Sequence, residues 1–426
     1  MKKYRKILVV LITIVVLYLG ALFILRSDVV FSAEKKIEGI EKVGINFSDF
    51  EIPKDVRVIG IGEATHGNRE FQTVKLEVLE KVVTEGNGRS IAFEISAGEG
   101  AKINDAIHET DSDINELIGT ISYPIYDTEE IVNLLSWMRE YNMSVPYEES
   151  LMFYGIDMQG AFESVKYMQA KIDSSPEIFT DEEKNKLSGI DADKDDYDKY
   201  RDLFEEIYNR TSGLEDVESQ LIAIQASVVL QSIDAPDFEE SQTEYGNYRD
   251  KSMAQNLKSY SGIEENRGFS QIVVTAHNGH VMRGSSDMSN SSLSLAMGER
   301  IDQIFDGSYY CIGTEFYNAT VNIHTAGTFD DDYERADHEY CSDDILAYQA
   351  QYFEGERYLL DFTKINKEDG RVYKIIHSKN FMGMVGEGYS IINDLGKAER
   401  MRVVPTQRFD AVLYYYYVTP IDPIHY

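Results

Sequence analysis

Proline and glycine are too few in this sequence for a collagen-like or linker-type chain: eight prolines and 30 glycines in 426 residues. Basic residues are short against acidic ones, 41 to 74, for a formal net charge of −33. A surface of that sign repels phosphate backbones and sets nucleic acid aside as a partner. Cysteine is nearly absent. Cys311 and Cys341 either close a loop of about 30 residues or stay as two thiols, and neither sits where a nucleophile is expected. No G-x-S-x-G elbow occurs, which argues against a serine hydrolase of the α/β-hydrolase kind, and no H-E-x-x-H helix of a metalloprotease. Gly60-Ile61-Gly62 has Thr65 where a dinucleotide loop needs glycine, and Glu63 where a pyrophosphate would lie. No internal repeat is present.

What remains is ordinary globular composition, 43% hydrophobic and 27% charged. The length fits two or three domains, or one large α/β domain with an insertion. One long apolar run, Ile7 to Leu25, follows Lys2, Lys3, Arg5 and Lys6. Its length, close to the roughly 20 residues of a bilayer span, predicts an uncleaved signal anchor over 7–25, favoured over a cleaved signal peptide. On that reading residues 1–33 are anchor and stalk, residues 34–426 the catalytic body. The protein is then single-pass in the cell membrane with its body outside, or secreted if the segment is removed.

Short apolar runs recur downstream: 56–61, 89–93, 151–156, 271–275, 309–312 and 411–418. They are continuous rather than alternating, as strands covered on both faces are, and helical stretches separate the early ones. The expected fold is α/β, a largely parallel central sheet flanked by helices. Residues 160–262 differ in composition and predict a helical insertion forming a lid over the cleft.

Ionisable groups gather where these strands end: Glu63 and His66, Glu94, Asp157, His277 and His280. Ligands of open α/β sheets sit beyond the strands' carboxyl ends. His66 reads as a general base with Glu63 holding its tautomer. Lys75 falls on the apolar stripe of the next helix, between Phe71 and Leu79. An inward lysine there needs a carboxylate, and Glu63 and Glu94 are the natural partners. Thr65, Arg69, Asp157 and Asn278 are the substrate-binding candidates. His277-x-x-His280 offers two metal ligands, with Glu63, His66 or Glu94 as a third, so a divalent metal such as zinc stays open.

GEATHGNREF (62–71), Lys75, Phe93-Glu94, YGIDMQG (154–160), AHNGHV (276–281), MGERI (297–301) and RFDAVLYYYYVTP (408–420) occur in an order that resembles the erythromycin esterase family over about 50 to 420. The resemblance implies an α/β core with a helical subdomain and a deep cleft. It implies hydrolysis of an ester, in known members a macrolide lactone. His66 would activate water, Glu63 would assist it, and Glu94, His277 and His280 would complete the polar floor. Lys75 stands where the family often has arginine, which would grip an oxyanion bidentately. The mechanism that fits is direct water attack with no required cofactor. The oxyanion is held by Lys75 or a protonated His277 or His280, and the partner is a small ester or lactone. The alternatives are a metal-dependent hydrolase or peptidase using the same cleft, and a non-catalytic ligand-binding protein.

Overall fold

The computed structural model describes residues 2–26, 35–285, 294–325, 334–389 and 400–425. Ten strands are present among them: β1 (Val58–Glu63), β2 (Gly88–Ser96), β3 (Met152–Asp157), β4 (Gln271–His277), β5 (Tyr309–His324), β6 (Arg335–Cys341), β7 (Arg357–Asp361), β8 (Asn380–Gly383), β9 (Arg400–Val403) and β10 (Ala411–Val418). The main sheet runs β3-β2-β4-β1-β5-β10-β7, and β6 pairs with β5. From β3 to β10 every pairing is parallel, while β7 and β6 add antiparallel edges. β8 and β9 form a separate antiparallel pair.

The helices of eight or more residues among the described ones are α1 (Lys2–Arg26), α2 (Arg69–Glu85), α3 (Ala97–His108), α4 (Glu129–Ser144), α5 (Ala161–Ser174), α6 (Asp181–Ser188), α7 (Arg201–Thr211), α8 (Val217–Asp234), α9 (Gln242–Asn266) and α10 (Met297–Ile304). Two cores flank the sheet. Ile59, Ile61, Ile91, Phe93 and Val273 pack against α2 and α4 on one face. Val58, Ala92, Tyr154, Ile156, Ile272 and Val274 pack on the other against residues of α5 to α10. Successive strand residues thus serve opposite cores, and the ionisable residues of β1 to β4 on the site side fall at or near the strands' carboxyl ends.

The stretch expected as an insertion folds into α5 to α9. Its last helix, α9, packs on β2, β3 and β4. Tyr260 of α9 stacks on Tyr154 of β3 with ring centroids 4.2 Å apart. Further toward its N-terminus α9 carries Arg249 and the buried Asp250.

The N-terminal expectation is corrected. The run is helical, but among the described residues no helix is long and apolar enough to cross a membrane. The transmembrane signal anchor over 7–25 and the single-pass membrane placement with its body outside are not supported. The stalk expected over 27–33 lies outside the described residues. The two cysteines do not pair with each other. Cys311 is buried, with its thiol on the Val281 carbonyl, and Cys341 Sγ lies 3.5 Å from Asp343 Oδ1.

Candidate active site

The carboxyl ends of four adjacent parallel strands supply Glu63 (β1), Glu94 (β2), Asp157 (β3) and His277 (β4). β1 delivers Glu63 directly opposite His277 in the strand register. The chain then turns through Ala64–Asn68 into α2, and this loop is fastened on all sides. Ala64 N donates to Thr314 Oγ1 at 3.1 Å, and Val385 N donates to Ala64 O at 2.9 Å. The buried Thr65 hydroxyl donates to Asn68 Oδ1. Asn68 Nδ2 donates to the carbonyls of Thr320 and Thr419, 2.8 Å each. Gly62 must lack a Cβ, which would collide with Asn278 Oδ1. A loop so anchored holds His66 in one place.

His66 Nδ1 lies 2.7 Å from Glu63 Oε1. Lys75 Nζ lies 2.8 Å from Glu63 Oε2 and donates to Gln72 Oε1 at 2.5 Å. The ammonium packs over the rings of Tyr126 and Phe93 at 4.7 and 5.2 Å and is enclosed, 1% exposed. It serves Glu63, not a substrate oxygen. Burial alone would raise the Glu63 carboxyl, but the Lys75 charge and the His66 hydrogen bond outweigh it and hold it down to about 2. Burial opposes a charged His66, yet the bond and charge of Glu63, with Glu94 behind, lift the imidazole above its ordinary value. Burial lowers Lys75 despite its partner. With Nδ1 committed to Glu63, Nε2 is the nitrogen left to face a reactant, and the side chain is 13% exposed.

Glu94 is the hub of a second network. Its Oε2 accepts from His277 N at 3.0 Å, and its Oε1 takes Arg249 Nη2 at 2.7 Å and His280 Nε2 at 3.3 Å. Arg249 also grips Asp157 Oδ2 through Nε at 2.9 Å and Nη2 at 2.5 Å. His280 Nδ1 lies 2.5 Å from Asp250 Oδ1. Burial opposes ionisation of Glu94, and His280, Arg249 and His66 together hold it far below the carboxylate range. Burial works against a charged His280 too, but Asp250 and Glu94 push it up to about 9. Arg249 Nη1, 3.3 Å from His280 Nε2, is then a like-charged neighbour. The carboxylates of Glu94, Asp157 and Asp250 balance the pair.

His277 is different again. Its Nδ1 accepts from Gly279 N at 3.2 Å, which leaves the proton on Nε2, donated to Val385 O at 3.2 Å. Burial, then the charges of His66 and His280, lower it to about 3. It is a neutral ring 4.9 Å from the His66 ring, centroid to centroid. Both nitrogens face backbone, so it offers no lone pair to a metal. Among the described residues no group of three His, Cys, Asp or Glu side chains forms a metal cage.

The structure therefore gathers Glu63, His66, Lys75, Glu94, Asp157, His277 and His280. It binds three further candidates into the protein frame. Thr65 is buried against Asn68. Asn278 Nδ2 donates to Thr314 O at 2.8 Å. Arg69 Nε donates to Glu130 Oε1 at 2.8 Å from a half-exposed side chain. Sequence reasoning missed Arg249 and Asp250. The signal was available: Asp250 lies three and four residues before Met253 and Ala254 on the buried stripe of α9, the same test that singles out Lys75.

The family model described as erythromycin esterase matches residues 83–418. A curated relative from Escherichia coli, erythromycin esterase type II, is 33% identical over 119 residues. That match covers 26% of this chain and 27% of the relative, so the chain spans about a quarter of the relative's length. Among solved structures, a succinoglycan biosynthesis protein superposes with TM-score 0.66 at 18% identity, covering 91% of this chain and 97% of that one. A Bacillus cereus protein gives 0.65 at 19% identity, covering 87% and 90%. A mutant erythromycin esterase in its open conformation gives 0.55 at 14% identity, covering 87% and 93%. At these identities the structures speak for the fold.

Proposed function

Because the chain belongs to the erythromycin esterase family, we propose that it hydrolyses a carboxylic ester or lactone by attack of a water that His66 activates. The observation that carries this reading is the Glu63–His66 pair at 2.7 Å, on a fixed loop at the carboxyl end of β1. Neutral His66 takes a proton from water through Nε2 while Glu63, kept ionised by Lys75, balances the imidazolium that forms. The water oxygen bonds to the carbonyl carbon. The tetrahedral oxyanion meets the cationic side of the cleft, where Arg249 and His280 stand with side chains 15% and 24% exposed. Lys75 is enclosed and His277 neutral, so neither fills that role. No acyl-enzyme is required, and no metal enters these steps.

The named relatives make erythromycin the first probe. The full chain is incubated with erythromycin and a panel of simple esters, beside a His66→Ala variant. Products are read by mass spectrometry for the gain of one water. Hydrolysis by the wild type that disappears in the variant is the expected result. A folded wild type that turns over nothing overturns the reading.

A further inference from the structure

The cleft holds two carboxylate–histidine pairs, and the reaction above moves a proton through only one of them. The second, Asp250–His280, joins helix α9 to the turn after β4. His280 Nδ1 lies 2.5 Å from Asp250 Oδ1, and Asp250 is buried. The opposite nitrogen, Nε2, has two long contacts, Glu94 Oε1 and Arg249 Nη1 at 3.3 Å each, and the ring is a quarter exposed. Ester cleavage by water needs a base at the start and an acid at the end, because an alkoxide leaves poorly without a proton.

We propose that Asp250 and His280 are the acid half of the reaction: Asp250 positions the ring through Nδ1, and His280 Nε2 delivers a proton to the departing alkoxide. The inference rests on the esterase reading. The balance is complete. Water loses a proton to His66 as its oxygen bonds to carbon; the carbon–oxygen bond to the alcohol then breaks. The alkoxide takes the His280 proton, His66 releases its proton to solvent, and His280 takes one back. Asp250 touches no reactant and is a positioning residue. Arg249 belongs to the same helix, so α9 supplies both the acid's partner and the cation that restrains Glu94 and Asp157. The charged groups around His280 are Asp250 and Arg249 of α9, Glu94 of β2, and Asp157 of β3 behind Arg249; the neutral His277 of β4 is a further titratable neighbour. Arg300 of α10 lies near Asp250 and reaches Asn247 of α9.

The test uses the full chain with Asp250→Asn and His280→Gln, on two esters of one acid. One releases an alkyl alcohol and needs an acid; the other releases 4-nitrophenol and does not. Asp250→Asn is expected to slow the alkyl ester on the order of 10²-fold and the nitrophenyl ester about tenfold less. With the alkyl ester the alkaline limb of kcat/KM, near 9 in the wild type, moves toward the ordinary histidine range. His280→Gln reproduces the leaving-group selectivity. A ratio between two esters reads only folded enzyme, so partial unfolding cancels. Equal losses on both esters, or an unmoved alkaline limb, overturn the inference and leave the esterase reading standing. A folded wild type that cleaves neither ester overturns both.

Discussion

The Glu63–His66 and Asp250–His280 pairs are the same two chemical groups in different settings. The first is local: its residues stand three apart in sequence, and the carboxylate belongs to a strand end. The second is assembled from residues 30 apart on different elements. Glu63 shares its charge with an enclosed lysine, so its histidine can lose a proton and still sit beside a stable anion. His280 faces two carboxylates with an arginine between them and holds its proton. The histidine between them, His277, faces backbone and is neutral. Three imidazoles within one cleft take three proton states because of what each nitrogen touches, not because of residue type.

Breaking the sheet-side pair has the largest expected effect. His66→Ala lowers kcat/KM on the order of 10³-fold, read as initial rates on the ester that the wild type cleaves. Glu63→Gln strands the enclosed Lys75 and costs about 3 to 5 kcal/mol in urea unfolding. Adding Lys75→Met to that variant recovers part of the loss, because the uncompensated charge is gone. Arg249→Met takes the cation from Asp157 and leaves Glu94 with His280 alone. Its cost in the same measurement is about 3 kcal/mol, below that of Glu63→Gln, because Arg249 is the more exposed cation.

Acid and alkali separate the two pairs. The Glu63 pKa is depressed in the folded state, so its contribution is present above the unfolded value near 4.5 and is lost as pH falls through about 2. The His280 pKa is raised, so its contribution is present below the unfolded value near 6.5 and is lost as pH rises through about 9. Each is on the order of 3 kcal/mol. Unfolding midpoints against pH check both: Asp250→Asn removes the alkaline loss near 9 and leaves the acid loss in place. In kinetics the acid limb belongs to His66 and lies above the ordinary histidine value. The smallest effect is that of Arg69→Ala. It breaks a half-exposed pair with Glu130 and changes stability by less than about 1 kcal/mol.

Much of this was legible in the linear chain. The apolar runs at 56–61, 89–93, 151–156 and 271–275 read as strands because a parallel sheet buries both faces, and the polar groups just past them pointed to Glu63, Glu94, Asp157 and His277. Lys75 was visible as a charge on an apolar stripe. β6 was not: its residues, Arg335 to Cys341, are polar and only partly buried at an edge. The apolar run at 7–25 matched a membrane span by length and charge flanks, yet no described helix meets that requirement. Asp250 carried the same inward-facing signal as Lys75, within a helix rich in polar residues.

Periodicity and strand-end chemistry, both local properties, determined the sheet, the candidate base and its carboxylate, and the family resemblance. Proton states and partners belong to the tertiary structure. Only packing of α9 against the sheet brings Arg249 to Glu94 and Asp250 to His280, and only the Val385 carbonyl and Gly279 amide make His277 neutral. Those contacts join residues up to 155 apart. Charge–charge energies depend on distance and burial in space, and the order of residues along a chain encodes neither.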